Sequence, residues 1–263
     1  YQAGRCFLGP PLREECPMDK KFAREYQLHT YEIDWEGRAH PLALLDFLMD
    51  AAAGQAAATG FGVPELIRKG LTWLLSRHHV RIFHYPGIWD RVRVTTWASG
   101  FQRLFALRDF EMHDEKGSLL ASATSSWVLM NLRDRKPANP AGFLPGHLLH
   151  EVRAMAEDFP PLPKVDRPDV EIAFRVRMRD VDFNRHVTNG VYIHWALEAV
   201  PEDVLKSRRP KEIEVGFRAE AFYGDQVVSR TQRTGEGAAP AFVHQIVNIA
   251  TGTELTRLRT VWE

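Results

Sequence analysis

Three polar side chains in the second half of the sequence could carry acid–base or nucleophilic chemistry. Asp182, Asn184 and His186 alternate, so an extended backbone would point all three the same way. The apolar positions that follow predict a helix over residues 190–200, and Asn189 is placed to cap it. Backbone N–H groups at the start of that helix could stabilise an oxyanion. Such a set suits the hydrolysis of an acyl bond.

The same three residues also have a purely structural interpretation. Asp and Asn side chains commonly complete turns by accepting backbone hydrogen bonds, and a histidine can simply be packed. For an isolated Asp-x-Asn-x-His pattern this interpretation is the commoner one. The rest of the chain has to decide between the two.

The composition excludes several classes of function. Lys plus Arg and Asp plus Glu number 34 each, so no overall field attracts nucleic acid. Cys6 and Cys16 are the only cysteines, which excludes a thiolate zinc site or a cysteine nucleophile in the body of the chain. We therefore expect no metal and no cofactor. No apolar run approaches the roughly 18 residues of a membrane span, and residues 1–20 resemble a flexible tail more than a signal peptide. The prediction is a cytoplasmic protein without membrane insertion.

The two halves of the chain repeat one order of elements, a strand, a helix and four more strands. The first half has predicted strands at 23–34, 71–84, 91–99, 101–113 and 119–132, with a helix over 41–59. The second half has predicted strands at 170–179, 212–219, 226–234, 241–249 and 254–262, with its helix over 190–200. An offset of 146 residues aligns Asp34 and His40 with Asp180 and His186, and an offset of 135 aligns the later strands. His40 lacks the Asp and Asn pattern, so we expect it to be a structural or surface residue.

Residues 133–168 hold seven of the sixteen prolines and predict a linker, with a short helix within 147–155 as its only regular element. The linker separates an N-terminal domain, 21–132, from a C-terminal domain, 169–263. The predicted fold class is α+β, with two tandem hotdog domains, each a long helix wrapped by an antiparallel sheet. The two sheets can join edge to edge, so that neither leaves a bare edge there.

The segment 182–195, DFNRHVTNGVYIHW, resembles the Asp-x-Asn-x-His-Val-x-Asn signature of the acyl-ACP thioesterases of plants and bacteria. Segments 71–77, 85–90, 126–131 and 217–220 also resemble sequences of this family. The resemblance therefore runs from about residue 22 to the end. It implies a hydrolase of fatty acyl-ACP in fatty acid biosynthesis, with acyl carrier protein as its partner.

The resemblance also implies which residues act. Asp182, Asn184, His186 and Glu220 match the family's catalytic positions in the C-terminal repeat. Plant members have Cys directly after that Glu, whereas this chain has Ala221, so a Cys–His mechanism is excluded here. Two chemistries remain. Either Asp182 attacks the thioester carbonyl, or Glu220 with His186 activates a water.

In the family the N-terminal repeat holds the acyl chain. The alanines at 51–53 and 56–58 of the first helix leave room beside it for such a chain. We expect this space to be lined by Met49, Ala53, Ala57 and Trp73. The alternative is that these alanines serve ordinary helix packing.

Three other questions stay open at this point. The carrier could be CoA instead of ACP, and a non-hydrolytic acyl-binding protein or a dehydratase would share the fold. The basic run 206–211 is a candidate for binding the acidic carrier, with a solvated loop as the alternative. Chain-length preference and a homodimeric state are not determined by the sequence.

Overall fold

The computed structural model describes residues 20–156, 159–182, 184–235 and 239–263. The predicted tail, with Cys6 and Cys16, lies outside these residues except for Lys20. Across the described part of the chain, every helix is too short or too polar to cross a membrane.

Eleven strands of the described chain form one antiparallel sheet. In chain order they are β1 (Phe22–Gln27), β2 (Leu71–Ile82), β3 (Arg91–Gln102), β4 (Phe105–Asp114), β5 (Leu119–Asn131), β6 (Pro137–Ala138), β7 (Val170–Arg175), β8 (Pro210–Phe217), β9 (Gln226–Arg233), β10 (Ala241–Asn248) and β11 (Glu254–Trp262). Across the sheet the order is β1-β3-β4-β5-β2-β8-β11-β10-β9-β7, and β6 pairs with β5.

Two helices lie against this sheet. The helices of the described chain are α1 (Pro41–Ala58), α2 (Val63–Arg68), α3 (Asn189–Glu198) and α4 (Glu202–Ser207). α1 contacts β1 and β3, α3 contacts β9, β10 and β11, and the two helices touch each other. One continuous core joins the halves; its most deeply buried large side chains include Leu44, Leu48, Phe110, Trp195 and Phe242. The predicted α+β class with two hotdog units is confirmed.

The halves join edge to edge through β2 and β8, as the sequence predicted. Their ladder runs from Arg77 opposite Gly216 to Arg81 opposite Glu212. On one face of this ladder the Glu212 carboxylate accepts a hydrogen bond from His79 Nε2 at 2.7 Å and one from Arg259 at 3.2 Å. The His79 hydrogen bond is the main cause that lowers the pKa of Glu212 to about 2.

This carboxylate predicts an acid-sensitive junction. Because the pKa of Glu212 is lower in the folded than in the unfolded chain, its stabilisation is present above about pH 4.5 and is lost as pH falls towards 2. Glu212→Gln should therefore lower the free energy of unfolding at neutral pH by at most about 3 kcal/mol. Urea titrations of both proteins across this range should show the difference shrinking towards zero in acid. The exposed Glu198→Gln serves as control, and a difference that does not change with pH would contradict the prediction.

The structural repeat differs from the predicted one in its first part. β1, the 3₁₀ turn after it and the start of α1 each lie 148 residues before β7, the matching turn and the start of α3. The offset of 146 was therefore wrong by two residues. Asp180 and Asp182 are two aspartates that lie two residues apart. The sequence comparison aligned Asp34 with the first of them, Asp180. Asp34 corresponds to Asp182, and His186 corresponds to Arg38. The later offset of 135 is confirmed by the starts of β3 and β9.

Several predicted boundaries also change. The first strand ends at Gln27, and a 3₁₀ helix follows at Thr30–Glu32. The helix predicted within 147–155 is wrong, since only the 3₁₀ turn Gly146–Leu148 forms there. α2 and α4 were not predicted, although Pro64 in the first turn of α2 is a helix-start signal.

The segment 133–168 is held against the sheet where the structure describes it. Arg153 donates a hydrogen bond to the buried Asp109 on β4 at 2.7 Å. Further along, the Leu162 carbonyl accepts a hydrogen bond from Arg257 on β11 at 2.9 Å. The segment therefore has fixed contacts with strands of both halves.

Candidate active site

The turn that precedes α3 folds back on itself. Val181 and Val187 form an antiparallel bridge, and Asp182 N–H donates to the His186 carbonyl at 2.9 Å. Arg185, at φ 66°, adopts the left-handed conformation that such a tight turn needs. The backbone of this segment is therefore not extended, which was the condition for the three side chains to point the same way. Its polar side chains are grouped by a turn instead of by strand alternation.

The Asp182 carboxylate holds this turn together. Its Oδ1 accepts the backbone N–H of Asn184 at 2.8 Å and that of His186 at 3.3 Å, and its Oδ2 lies 3.4 Å from the Asn184 amide nitrogen. Asp34 accepts the two corresponding N–H groups in the first repeat, at 2.9 and 3.0 Å. The fold alone therefore explains an aspartate at this position in both repeats.

His186 and Glu220 form the pair that the turn does not explain. His186 Nδ1 lies 3.4 Å from Glu220 Oε1, and both side chains are about one-third exposed, at 35% and 32%. The other Glu220 oxygen lies 3.5 Å from the guanidinium of Arg135, and the His186 ring packs edge-on against Phe222. A histidine paired with a carboxylate at a solvent-accessible position can accept a proton from water.

Two hydrogen bonds connect the chain around Glu220 to this turn. Val187 N–H donates to the Ala221 carbonyl at 3.0 Å, and Ala221 N–H donates to the Tyr192 hydroxyl on α3 at 2.9 Å. Burial is the main cause that raises the pKa of Tyr192, so its phenol stays neutral. These bonds fix the backbone beside Glu220 relative to the residues before α3.

The start of α3 differs from the prediction. The helix begins at Asn189 itself, Thr188 is the N-cap residue, and Thr188 makes no side-chain hydrogen bond to the helix. Asn189 is therefore inside the first turn and does not cap it. Thr188 corresponds to His40, which is the N-cap residue of α1, is exposed, and makes no side-chain hydrogen bond to the helix.

The equivalent turn in the first repeat carries different side chains. The positions of His186 and Glu220 are occupied by Arg38 and Tyr85. The carboxylate of Asp34 is bound by Arg209 at 2.7 Å. The His–Glu pair is therefore present only in the second repeat.

A cavity of about 470 Å³ lies between α1 and the strands of the first half. Its lining includes all four predicted residues, Met49, Ala53, Ala57 and Trp73. The remaining lining residues come from α1 and the loop after it, the start of α2, β3, β4, β5 and residues 144–149. They include Ala98, Ala106, Leu107, Trp127, Leu144, Leu148 and Leu149. The walls are mostly apolar, as the binding of an acyl chain would require.

The cavity and Glu220 lie towards the same end of the β2–β8 ladder. Arg77 and Gly216 are its last paired residues at that end. Trp73 lies four residues before Arg77, and Glu220 lies four residues after Gly216. Because the two strands are antiparallel, both positions extend beyond the same end. A chain lying along the cavity can therefore run towards Glu220.

The basic run 206–211 is largely paired with acidic side chains. Lys206 forms an ion pair with Glu202 within α4, and Lys211 lies 3.8 Å from Glu263. Arg209, as noted, binds Asp34 and also Glu36 in the first repeat. These internal pairs favour the interpretation of the run as an ordinary part of the surface.

Two family models match the chain. The acyl-ACP thioesterase N-terminal domain matches residues 19–141, and the acyl-ACP thioesterase C-terminal domain matches residues 164–263. The chain belongs to the acyl-ACP thioesterase family. The sequence resemblance is thereby confirmed, and the matched regions correspond to the two repeats of the fold.

Individual thioesterases of the family agree with this assignment. The chain is 28% identical to a chloroplastic acyl-[acyl-carrier-protein] hydrolase of Cuphea viscosissima and to a chloroplastic palmitoyl-acyl carrier protein thioesterase of Arabidopsis thaliana, in each case over 92% of this chain. It spans 62% and 63% of the length of these curated relatives.

Solved thioesterase structures have the same fold over nearly the whole chain. An acyl-ACP thioesterase from Bacteroides thetaiotaomicron matches with a TM-score of 0.82 at 25% identity, over 93% of this chain and 98% of that one. The 12:0-ACP thioesterase from Umbellularia californica matches with a TM-score of 0.84 at 26% identity, over 94% and 95%.

Proposed function

We propose that the protein hydrolyses fatty acyl-ACP to free fatty acid and ACP in fatty acid biosynthesis. The observation that carries the proposal is the His186–Glu220 pair, which lies towards the same end of the sheet as an apolar cavity. Family membership and the names of the relatives support the same activity. In this proposal the N-terminal domain, 21–132, binds the acyl chain, and the C-terminal domain, 169–263, supplies catalysis across the linker 133–168.

The proposed reaction uses water as the nucleophile. The His186–Glu220 pair accepts a proton from a water molecule as its oxygen bonds to the thioester carbonyl carbon. The tetrahedral oxyanion then collapses, the carbon–sulfur bond breaks, and the carrier's sulfur takes the proton. The Asn184 amide orients the carbonyl or the water. Asp182 keeps the turn in shape and so positions Asn184 and His186.

The hydrogen bonds of Asp182 support water attack over attack by its own carboxylate. Three nitrogen atoms lie within 3.4 Å of its two oxygens, so hydrogen bonds already occupy part of the lone pairs that an attack on the carbonyl carbon would need. Asp34 makes the same turn in the first repeat, where Arg38 stands in the place of His186. An aspartate is therefore needed here by the fold, and a nucleophilic role is not required to explain it.

A basic turn beside the site suits an acidic carrier protein. The turn after β5 carries three exposed cations, Arg133, Arg135 and Lys136. Arg135 contacts Glu220, so this turn lies next to the site. Cations at the rim of a binding surface accelerate association with an acidic partner in a salt-dependent manner. Arg135 was not predicted from the sequence, because 85 residues separate it from Glu220.

The decisive experiment compares carriers. We expect release of free thiol from dodecanoyl-ACP with a kcat/KM at least about tenfold above that on dodecanoyl-CoA, because an acidic protein carrier presents more negative charges to the basic turn than CoA does. Equal rates on both carriers would favour an acyl-CoA thioesterase. Binding without thiol release would indicate a non-hydrolytic acyl-binding protein, and an enoyl product from a hydroxyacyl-ACP would indicate a dehydratase. Either of the last two results would refute the proposed function.

A further inference from the structure

One wall of the cavity carries a charged side chain, Arg108 on β4. Its Nη1 donates to the Gln55 side-chain oxygen on α1 and to Thr96 Oγ1 at 3.1 Å, and both acceptors are neutral. No Asp or Glu is present among the described residues that line the cavity. Burial lowers the pKa of the Arg108 guanidinium to about 10, so it remains charged at neutral pH.

The acidic residues near Arg108 in the described part of the chain do not neutralise this charge. Asp109, the next residue, points to the opposite face of β4, as alternation in a strand requires, and pairs there with Arg153 at 2.7 Å. Asp50 on α1 pairs with Arg24 at 2.7 Å. A partly buried cation without an anionic partner among the described residues is costly, and an apolar side chain would suit a plain hydrocarbon better.

Arg108 lies deep in the cavity relative to Glu220. It stands opposite Ser125 on β5, which in turn stands opposite His78 on β2. β4 is three strands away from β8 in the sheet, which corresponds to roughly 14 Å at the usual strand spacing. Along β2, His78 lies five residues from Trp73, the position that the register of the ladder places level with Glu220. Arg108 therefore meets the distal part of a bound chain and not the thioester.

We propose that the cavity accepts acyl chains that carry an oxygen substituent near their distal end, and that Arg108 binds this oxygen. A hydroxyl, a carbonyl and a carboxylate share the chemistry required, an oxygen that accepts hydrogen bonds from a guanidinium; a carboxylate also supplies the missing negative charge. This inference rests on the proposed function for its substrate. It makes Arg108 a specificity-determining residue outside the catalytic group.

The test compares dodecanoyl-ACP with its ω-hydroxy and ω-carboxy counterparts. We expect the wild-type kcat/KM on the oxygen-bearing chains to exceed that on dodecanoyl-ACP by about ten- to a hundredfold, as a hydrogen bond to a charged group implies. Arg108→Met should remove this preference, and Arg108→Lys should keep part of it. Arg93→Met, an exposed arginine on the adjacent strand, should leave it unchanged.

A binding measurement separates this inference from the proposed function. The shift in Tm caused by free ω-hydroxydodecanoic acid, compared with that caused by dodecanoic acid, needs no catalysis. A larger shift with the hydroxy acid that Arg108→Met abolishes, without hydrolysis of any thioester, would support the Arg108 site and refute the hydrolase. Hydrolysis of all three chains at equal kcat/KM by wild type, or a preference that survives Arg108→Met, would overturn the Arg108 site and leave the hydrolase standing.

Discussion

Glu220→Gln and His186→Ala are each expected to lower kcat on acyl-ACP by about a hundredfold or more, because neither variant can transfer the proton from water. KM should change little, since the acyl chain contacts the cavity of the other repeat. Single-turnover release of thiol measures the chemical step. Arg38→Ala, the equivalent position of His186 in the first repeat, is the matched control and should retain wild-type turnover. Full activity in both Glu220→Gln and His186→Ala would remove the proposed site.

Asp182→Asn distinguishes the two chemistries within the same site. An asparagine oxygen can accept the same backbone hydrogen bonds, so the turn should persist and kcat should stay within about tenfold of wild type. A nucleophilic Asp182 instead requires a loss as large as that of Glu220→Gln. Turnover in heavy-oxygen water provides the second measurement: under water attack the label enters the released acid, and the Asp182 carboxylate stays unlabelled.

Enlarging a small residue on the cavity wall should shorten the preferred acyl chain. A phenylalanine ring introduced by Ala53→Phe or Ala57→Phe occupies space that a long chain needs, so kcat/KM on long-chain acyl-ACP should fall by about tenfold or more. Turnover of short chains should survive, because the His186–Glu220 pair is unaffected. A panel of acyl-ACPs of graded length measures the change.

Ala58→Phe is the control for this substitution. Ala58 is exposed on the same helix and does not line the cavity, so its enlargement should leave the length profile unchanged. If Ala53→Phe and Ala57→Phe instead impair every chain length equally, the alanines serve packing, and the acyl chain lies elsewhere.

The sequence alone was sufficient for the two long helices, for ten of the eleven strands of the described chain, and for their order. The apolar stretch after Pro41 predicted α1 to within one residue, and the alternating segment 254–262 matched β11 at both ends. These predictions succeed because periodicity and helix-start residues are local properties. The repeat of element order was enough to predict two α+β units that join at a sheet edge.

The detailed form of the site was decided by tertiary structure. The alternate spacing of Asp182 and His186 would place them together only on an extended backbone, whereas a tight turn with Arg185 at positive φ groups them. The sequence also did not determine the correct repeat offset, because Asp180 and Asp182 are both aspartates and either can be aligned with Asp34. Only their hydrogen bonds show that Asp182 makes the same turn as Asp34.

Contacts between distant segments lay beyond any local pattern. The family signature singled out Glu220, but its contact with Arg135 depends on where the loop after β5 meets the loop after β8. In the sequence, nothing distinguishes Arg108 from the other residues of its predicted strand. Its position in an apolar cavity, beside Gln55 of α1, arises only when that helix packs on the sheet and brings Gln55 to the guanidinium. Sequence period determines which residues share a face of one element, while the packing of one element on another determines which charges are enclosed together.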